Sequence, residues 1–150
     1  MPPKEKRAAF FITVNPNISR KDLPIEVRNI IYQRMIEYAK KVHTGIQNAS
    51  LLKKIYSPHY QNPEPAENSV NRYDYSVEVG EKLGFIHIHI FVKIDQACHL
   101  DQAKLRKMAS EYIRGDRKRV HLNIKFIRDP TPFIENYMDK QRNSEVSGSL

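Results

Sequence analysis

Between residues 85 and 94 the chain alternates strictly. Ile86, Ile88, Ile90, Val92 and Ile94 interleave with Phe85, His87, His89, Phe91 and Lys93. Strand side chains alternate faces, so the pattern predicts a strand with one continuous aliphatic face and two neighbouring histidines on the other. "NRYDYSVEV" just upstream reads as its hairpin partner, turning near residues 81–84. "RAAFFITVN" (7–15) reads as a first strand stopped by Pro16, and "RVHLNIKFIRD" as a last strand with Val120, Leu122, Ile124 and Phe126 on one face. Helical spacing of Ile30, Ile31, Met35 and Tyr38 predicts a long helix over 19–43, with Asp22 as N-cap. A second helix is expected over 100–115, closed by Gly115. A third is expected over 131–142, with Thr131 as N-cap and Pro132 in its first position. The proline-bearing stretch 44–69 reads as loop with a short helix near 49–56. "NSEVSGSL" (143–150) reads as a disordered tail or the start of a linker, leaving one domain over 1–142.

The resulting order, β-α-β-β-α-β-α, predicts an α+β protein with a ferredoxin-like antiparallel sheet. Helices would cover the isoleucine face, and the histidines would lie on the open one.

Composition narrows the partners. The 150 residues suffice for one domain with a hydrophobic core. A formal charge of +8 favours a polyanionic partner, nucleic acid before membrane. No apolar run reaches the roughly 18 residues that would span a membrane, and the N-terminus has no secretory apolar region. Cys98 stands alone, so no internal disulfide forms, and an intracellular, reducing location is expected.

The hairpin raises the first chemical possibility. A turn at residues 81–84 sets Glu78 opposite His87 and Ser76 opposite His89. Directly opposed residues share a face, so Glu78, His87 and His89 converge. Two imidazoles and a carboxylate with open positions suit a divalent cation and lack the spacing of a closed zinc site. Glu81 is the competing carboxylate, but it falls in the turn. The plainer alternative is an exposed strand that binds nothing. His43, His59, His99 and His121 have no comparable partner.

The last helix raises the second. In "NYMDKQ", Tyr137 and Lys140 are three apart and share a helix face. Alone, the pair is an ordinary amphipathic pattern. Beside a metal, a tyrosine hydroxyl can attack a phosphodiester, and a lysine can offset charge.

Together "HIHIF", the Tyr-x-x-Lys of "YMDK" and the first strand "FFITVNPN" resemble the three motifs of HUH endonucleases, in the order found in rolling-circle replication initiators of small circular single-stranded DNA viruses and plasmids. The resemblance spans about residues 8–142. It implies Mg²⁺ or Mn²⁺ bound by His87, His89 and Glu78, a nucleophile in Tyr137 and an assisting lysine in Lys140. It also implies DNA contacts by Thr13, Asn15 and Asn17, although "ITVNPN" departs from the commoner Phe-Thr-x-Asn form at its first position. The implied substrate is single-stranded origin DNA, in a stem-loop. A helicase domain or protein is the implied partner, and the host nucleus the location if the source is a eukaryotic virus.

Between residues 100 and 119 a basic patch, with Arg117, Lys118 and Arg119 at its end, would add salt-dependent phosphate affinity without sequence choice. Two other classes remain open. One is a strand-transferring transposase or relaxase of the same superfamily. The other is a non-catalytic ferredoxin-like nucleic-acid-binding module, which would need stacking aromatics where this chain has histidines.

Overall fold

The computed structural model describes residues 8–56, 58, 59, 63–80, 82–113, 120–128 and 145–150. The expected third helix, with Tyr137 and Lys140, lies outside the described residues, as do Glu81 and Gly115.

Five strands form one antiparallel sheet: β1 (Ala8–Ser19), β3 (Val70–Val79), β4 (Phe85–Ile94), β6 (His121–Phe126) and β7 (Val146–Ser149), in the order β6-β1-β4-β3-β7. Without β7 this is the strand order of a ferredoxin-like α+β fold, as the alternation predicts. Two short strands, β2 (Leu52–Lys53) and β5 (His99–Leu100), pair separately. Helices α1 (Ile25–Gln47) and α2 (Gln102–Tyr112) both pack on the isoleucine face of the sheet.

The core forms where the two periodicities meet. Ile86, Ile88, Ile90 and Ile94 are fully buried, and so are Met35, Tyr38 and Val42 of α1. Burying such side chains contributes roughly 1.5–3 kcal/mol each. The two most deeply buried tyrosines of this core find acceptors for their hydroxyls: Tyr38 donates to the Leu105 carbonyl at 3.1 Å and Tyr73 to the Ala39 carbonyl at 2.5 Å. Both bonds tie a helix to its neighbour.

Several elements differ from the sequence pattern, each for a physical reason. Pro16 does not end the first strand. The register of β1 against β4 jumps between Val14 and Ile18, and Pro16 sits in this bulge, where no ladder N–H is required. Asp22 does not cap α1. It ends a 3₁₀ turn (Arg20–Asp22) capped by Ser19, and α1 starts after Pro24 with no side-chain cap. Within α1, Ile30 lies off the core-facing stripe at 55% exposure, while its neighbour Ile31 is buried. The short helix expected near 49–56 is instead β2, held by pairing with β5. In β6, Phe126 is 58% exposed, so its apolar face is only partly covered.

The C-terminal residues correct the expectation of a disordered tail. Val146–Ser149 add a fifth strand against Tyr75 and its neighbours on β3. Asp74, only 5% exposed, explains the attachment. Arg72 Nε donates to one carboxylate oxygen at 2.6 Å and the Ser149 hydroxyl to the other at 2.5 Å. A buried carboxylate without partners would cost several kcal/mol; Arg72 pairs with one oxygen from within β3, and β7 supplies the partner of the other. Gly148 is needed there, since a Cβ would lie 2.5 Å from the Tyr75 hydroxyl.

Candidate metal centre

The hairpin register decides which carboxylate meets the histidines. The turn closes with Gly80 N–H donating to the Phe85 carbonyl at 3.0 Å and Gly84 N–H to the Gly80 carbonyl at 2.9 Å. Gly84 adopts φ +68°, a left-handed conformation that favours glycine. This turn pairs Glu78 with His87 and Ser76 with His89, the register expected from the sequence.

The three side chains meet on the face opposite the isoleucines. Glu78 Oε2 lies 2.9 Å from His89 Nε2 and 3.9 Å from His87 Nε2. One ligand atom from each residue lies within 4.8 Å of the other two. For a cation with bonds of about 2.1 Å, ligand atoms at right angles sit about 3.0 Å apart and opposite ones about 4.2 Å. The two Glu78–histidine separations, 2.9 and 3.9 Å, lie close to that range. The side chains of Glu78, His87 and His89 are 18, 20 and 19% exposed, reachable but largely screened from water.

Each imidazole is oriented through its second nitrogen. His87 Nδ1 lies 3.1 Å from the Phe85 carbonyl, which can only accept, so Nδ1–H donates and Nε2 presents its lone pair toward Glu78. Burial lowers the His87 pKa, and the neighbouring His89 lowers it further, against smaller opposing effects of the Phe85 carbonyl and Glu78. The neutral form is the one that ligates a metal. His89 Nδ1 lies 2.9 Å from Thr13 Oγ1, and its ring stacks on Phe11 at 4.7 Å between centroids with 21° between planes. The two imidazoles meet edge to face at 4.7 Å. Opposite His89 in the register, Ser76 has a fully buried hydroxyl oxygen without a hydrogen-bond partner. The donor set of one carboxylate and two imidazoles fits a divalent cation. Glu78, His87 and His89 therefore form a group that could bind a metal ion.

The depressed His87 pKa has a consequence for stability. In the unfolded chain this histidine takes a proton near pH 6.5, whereas the folded protein holds it neutral to lower pH. The unfolded state therefore binds more protons as pH falls, and stability drops from about pH 6.5 downward through the folded pKa. Metal-free thermal melts between pH 7 and 5 should show this fall, and His87→Gln should make it shallower. An equally steep fall in the variant would assign the pH dependence elsewhere.

The other expected residues sort by position. Thr13 sits beside His89 on β1 with its hydroxyl engaged there. Asn15 pairs with His121 of β6 and accepts the Asn17 N–H through its side chain at 2.8 Å, shaping the bulge. Asn17 is exposed at φ +60°, a conformation asparagine tolerates better than most residues. Lys104, Arg106 and Lys107 are exposed on α2. Arg117, Lys118 and Arg119 lie outside the described residues. His43 is half-buried on α1, and His99 and His121 are exposed on separate strands away from the triad. Thr13 and Phe11 as partners of His89 are absent from the sequence reading. Their alternation with Ile12 and Val14 put them on the polar face, but their register against β4 is a long-range pairing that no turn dictates. No helix of the described residues is long and apolar enough to cross a membrane. No protein-family model matches the chain, and no curated protein or solved structure matches it.

Proposed function

We propose that the chain is a metal-dependent endonuclease that nicks and rejoins single-stranded DNA through a 5′-phosphotyrosine on Tyr137, as in the initiation of rolling-circle replication. The convergence of Glu78, His87 and His89 on one sheet face carries this reading. The motif resemblance supplies the reaction type. When bound, the cation would polarise a phosphate oxygen and stabilise the charge that develops on it. Two imidazoles beside one carboxylate favour Mn²⁺ over the harder Mg²⁺.

The chain's own groups carry the remaining steps. Glu78, His87 and His89 would hold the cation on a rigid sheet, where it would orient the phosphate rather than merely attract it. The Tyr137 oxygen attacks phosphorus and gives up its proton. The 3′ oxygen leaves and takes up a proton, so one phosphodiester replaces another. The bond energy is conserved, and the reverse step rejoins the strand. A tyrosine of ordinary pKa, about 10, is a weak nucleophile near neutral pH. Lys140 supplies positive charge at the phosphate or the phenolate. Exposed cations on α2 add sequence-independent phosphate affinity.

The test is incubation with stem-loop single-stranded DNA and Mn²⁺, followed by denaturing electrophoresis and mass spectrometry of the proteolysed product. A covalent adduct on Tyr137 is expected, absent in Tyr137→Phe and in EDTA, with DNA binding retained in the variant. An adduct on Tyr73 or Tyr112, or hydrolysed ends with no adduct, would defeat the assignment. Binding without cleavage would favour a non-catalytic nucleic-acid-binding module.

A further inference from the structure

We propose that Thr13 is a positioning residue for the metal centre, its hydroxyl accepting the Nδ1 proton of His89 when Nε2 turns its lone pair to a cation beside Glu78 and His87. The inference rests on the metal reading of the triad and gives Thr13 a role other than contact with DNA.

The geometry is specific. Thr13 lies directly opposite His89 in the β1–β4 register, and the 2.9 Å between Oγ1 and Nδ1 is a full hydrogen bond. A neutral imidazole has one N–H. If Nε2 is to ligate, that proton must sit on Nδ1, and the Thr13 hydroxyl can accept it there. A hydroxyl also serves the metal-free state. There, His89 Nε2–H can donate to Glu78 at 2.9 Å while the Thr13 hydroxyl donates to Nδ1. Thr13 can reverse its bond as the cation enters, and a carbonyl could not. The stiff χ1 of a β-branched residue on a strand fixes where the oxygen points.

Phe11 completes the arrangement two residues earlier on the same face, stacked at 21° on the His89 ring. The hydroxyl partners Nδ1 in the ligating tautomer, and the phenyl stacks on the ring. His87 obtains the equivalent support from its own strand, through the Phe85 carbonyl. Thus β1 acts as the outer shell of a site whose ligands all lie on β3 and β4. Such outer partners commonly change metal affinity by about 10–100-fold.

The experiment compares wild type, Thr13→Val and Thr13→Ser by calorimetric titration with Mn²⁺ in the absence of DNA, with metal-free melting temperatures as the control. Valine keeps the shape and the strand propensity but has no hydroxyl. It should weaken Mn²⁺ binding by about 10–100-fold, while serine stays within about threefold of wild type. Should valine lower the metal-free Tm by more than a few degrees, Thr13→Ala against Thr13→Ser carries the same comparison. Wild-type affinity in Thr13→Val would overturn the proposal, and so would a serine variant as weak as the valine one. Absence of Mn²⁺ binding by the wild type overturns both this proposal and the metal centre. Failure of the nuclease reading alone, with no DNA adduct formed, leaves the Mn²⁺ comparison unaffected, so the two failures are distinguishable.

Discussion

His89→Ala should abolish measurable Mn²⁺ binding and DNA cleavage while shifting the metal-free Tm by no more than a few degrees. The size of the first effect follows from what converges on one ring. His89 is the ligand closest to Glu78, at 2.9 Å, and it alone is fixed by both a hydrogen bond from β1 and an aromatic stack. Removing it leaves one imidazole and one carboxylate 3.9 Å apart. The loss should exceed the roughly 10–100-fold typical of an outer partner. The smallness of the second effect follows from the face. His89 points away from the isoleucine core, and its truncation leaves no cavity there. Calorimetric titration with Mn²⁺ and a circular-dichroism melt on the same sample check both halves. Retained Mn²⁺ affinity would remove the metal role from His89. A collapse of Tm would make the ring a structural element.

One residue away, Ile88→Ala should do the opposite. Ile88 is fully buried among residues of both helices and the sheet. Truncating an isoleucine in such a core costs about 2–5 kcal/mol, the lost transfer energy plus the cavity left behind. Against a typical stability of about 5–15 kcal/mol this is a large fraction. For a domain of this size it corresponds to a Tm lower by on the order of 10 °C. Mn²⁺ affinity below the transition should stay near wild type, because the ligands face the other way. A Tm shift of only a degree or two would mean that the core relaxes around the gap. A large loss of metal affinity in the still-folded protein would mean that the two faces are coupled through the strand.

What the sequence made legible was whatever local periodicity or a short turn controls. Ile86 to Ile94 alternate without interruption, so the strand and its two faces could be read directly. The turn then fixed Glu78 against His87, since a hairpin of defined loop length leaves no choice of register. Long-range pairing was a different matter. The contact of Thr13 with His89 depends on how β1 docks between β4 and β6, which fixes the register only through the whole core. Pro16 misled because its missing N–H was read as a stop, whereas a bulge removes the need for that donor. Val146–Ser149 are too short and too polar to look like a strand. They pair along β3, where the Ser149 hydroxyl reaches buried Asp74, far away in sequence. The helix start was misplaced for a related reason: Asp22 and Ser19 both suit a cap, and the tighter turn took Ser19.

Strand β4 is hydrogen-bonded on both sides, to β1 and to β3, and its isoleucines lie at the bottom of the core. Amides in such a strand exchange with solvent only when the whole domain opens, so His87 and His89 should stand among the slowest-exchanging backbone positions. The edges are looser by contrast, with β7 joined through four paired residues and β6 more than half exposed at Phe126. The ligand-bearing hairpin thus behaves as an anvil. Were the proposed nuclease reaction to run here, its motions would fall to the groups brought down onto this face, while the strand that carries the imidazoles stays closed.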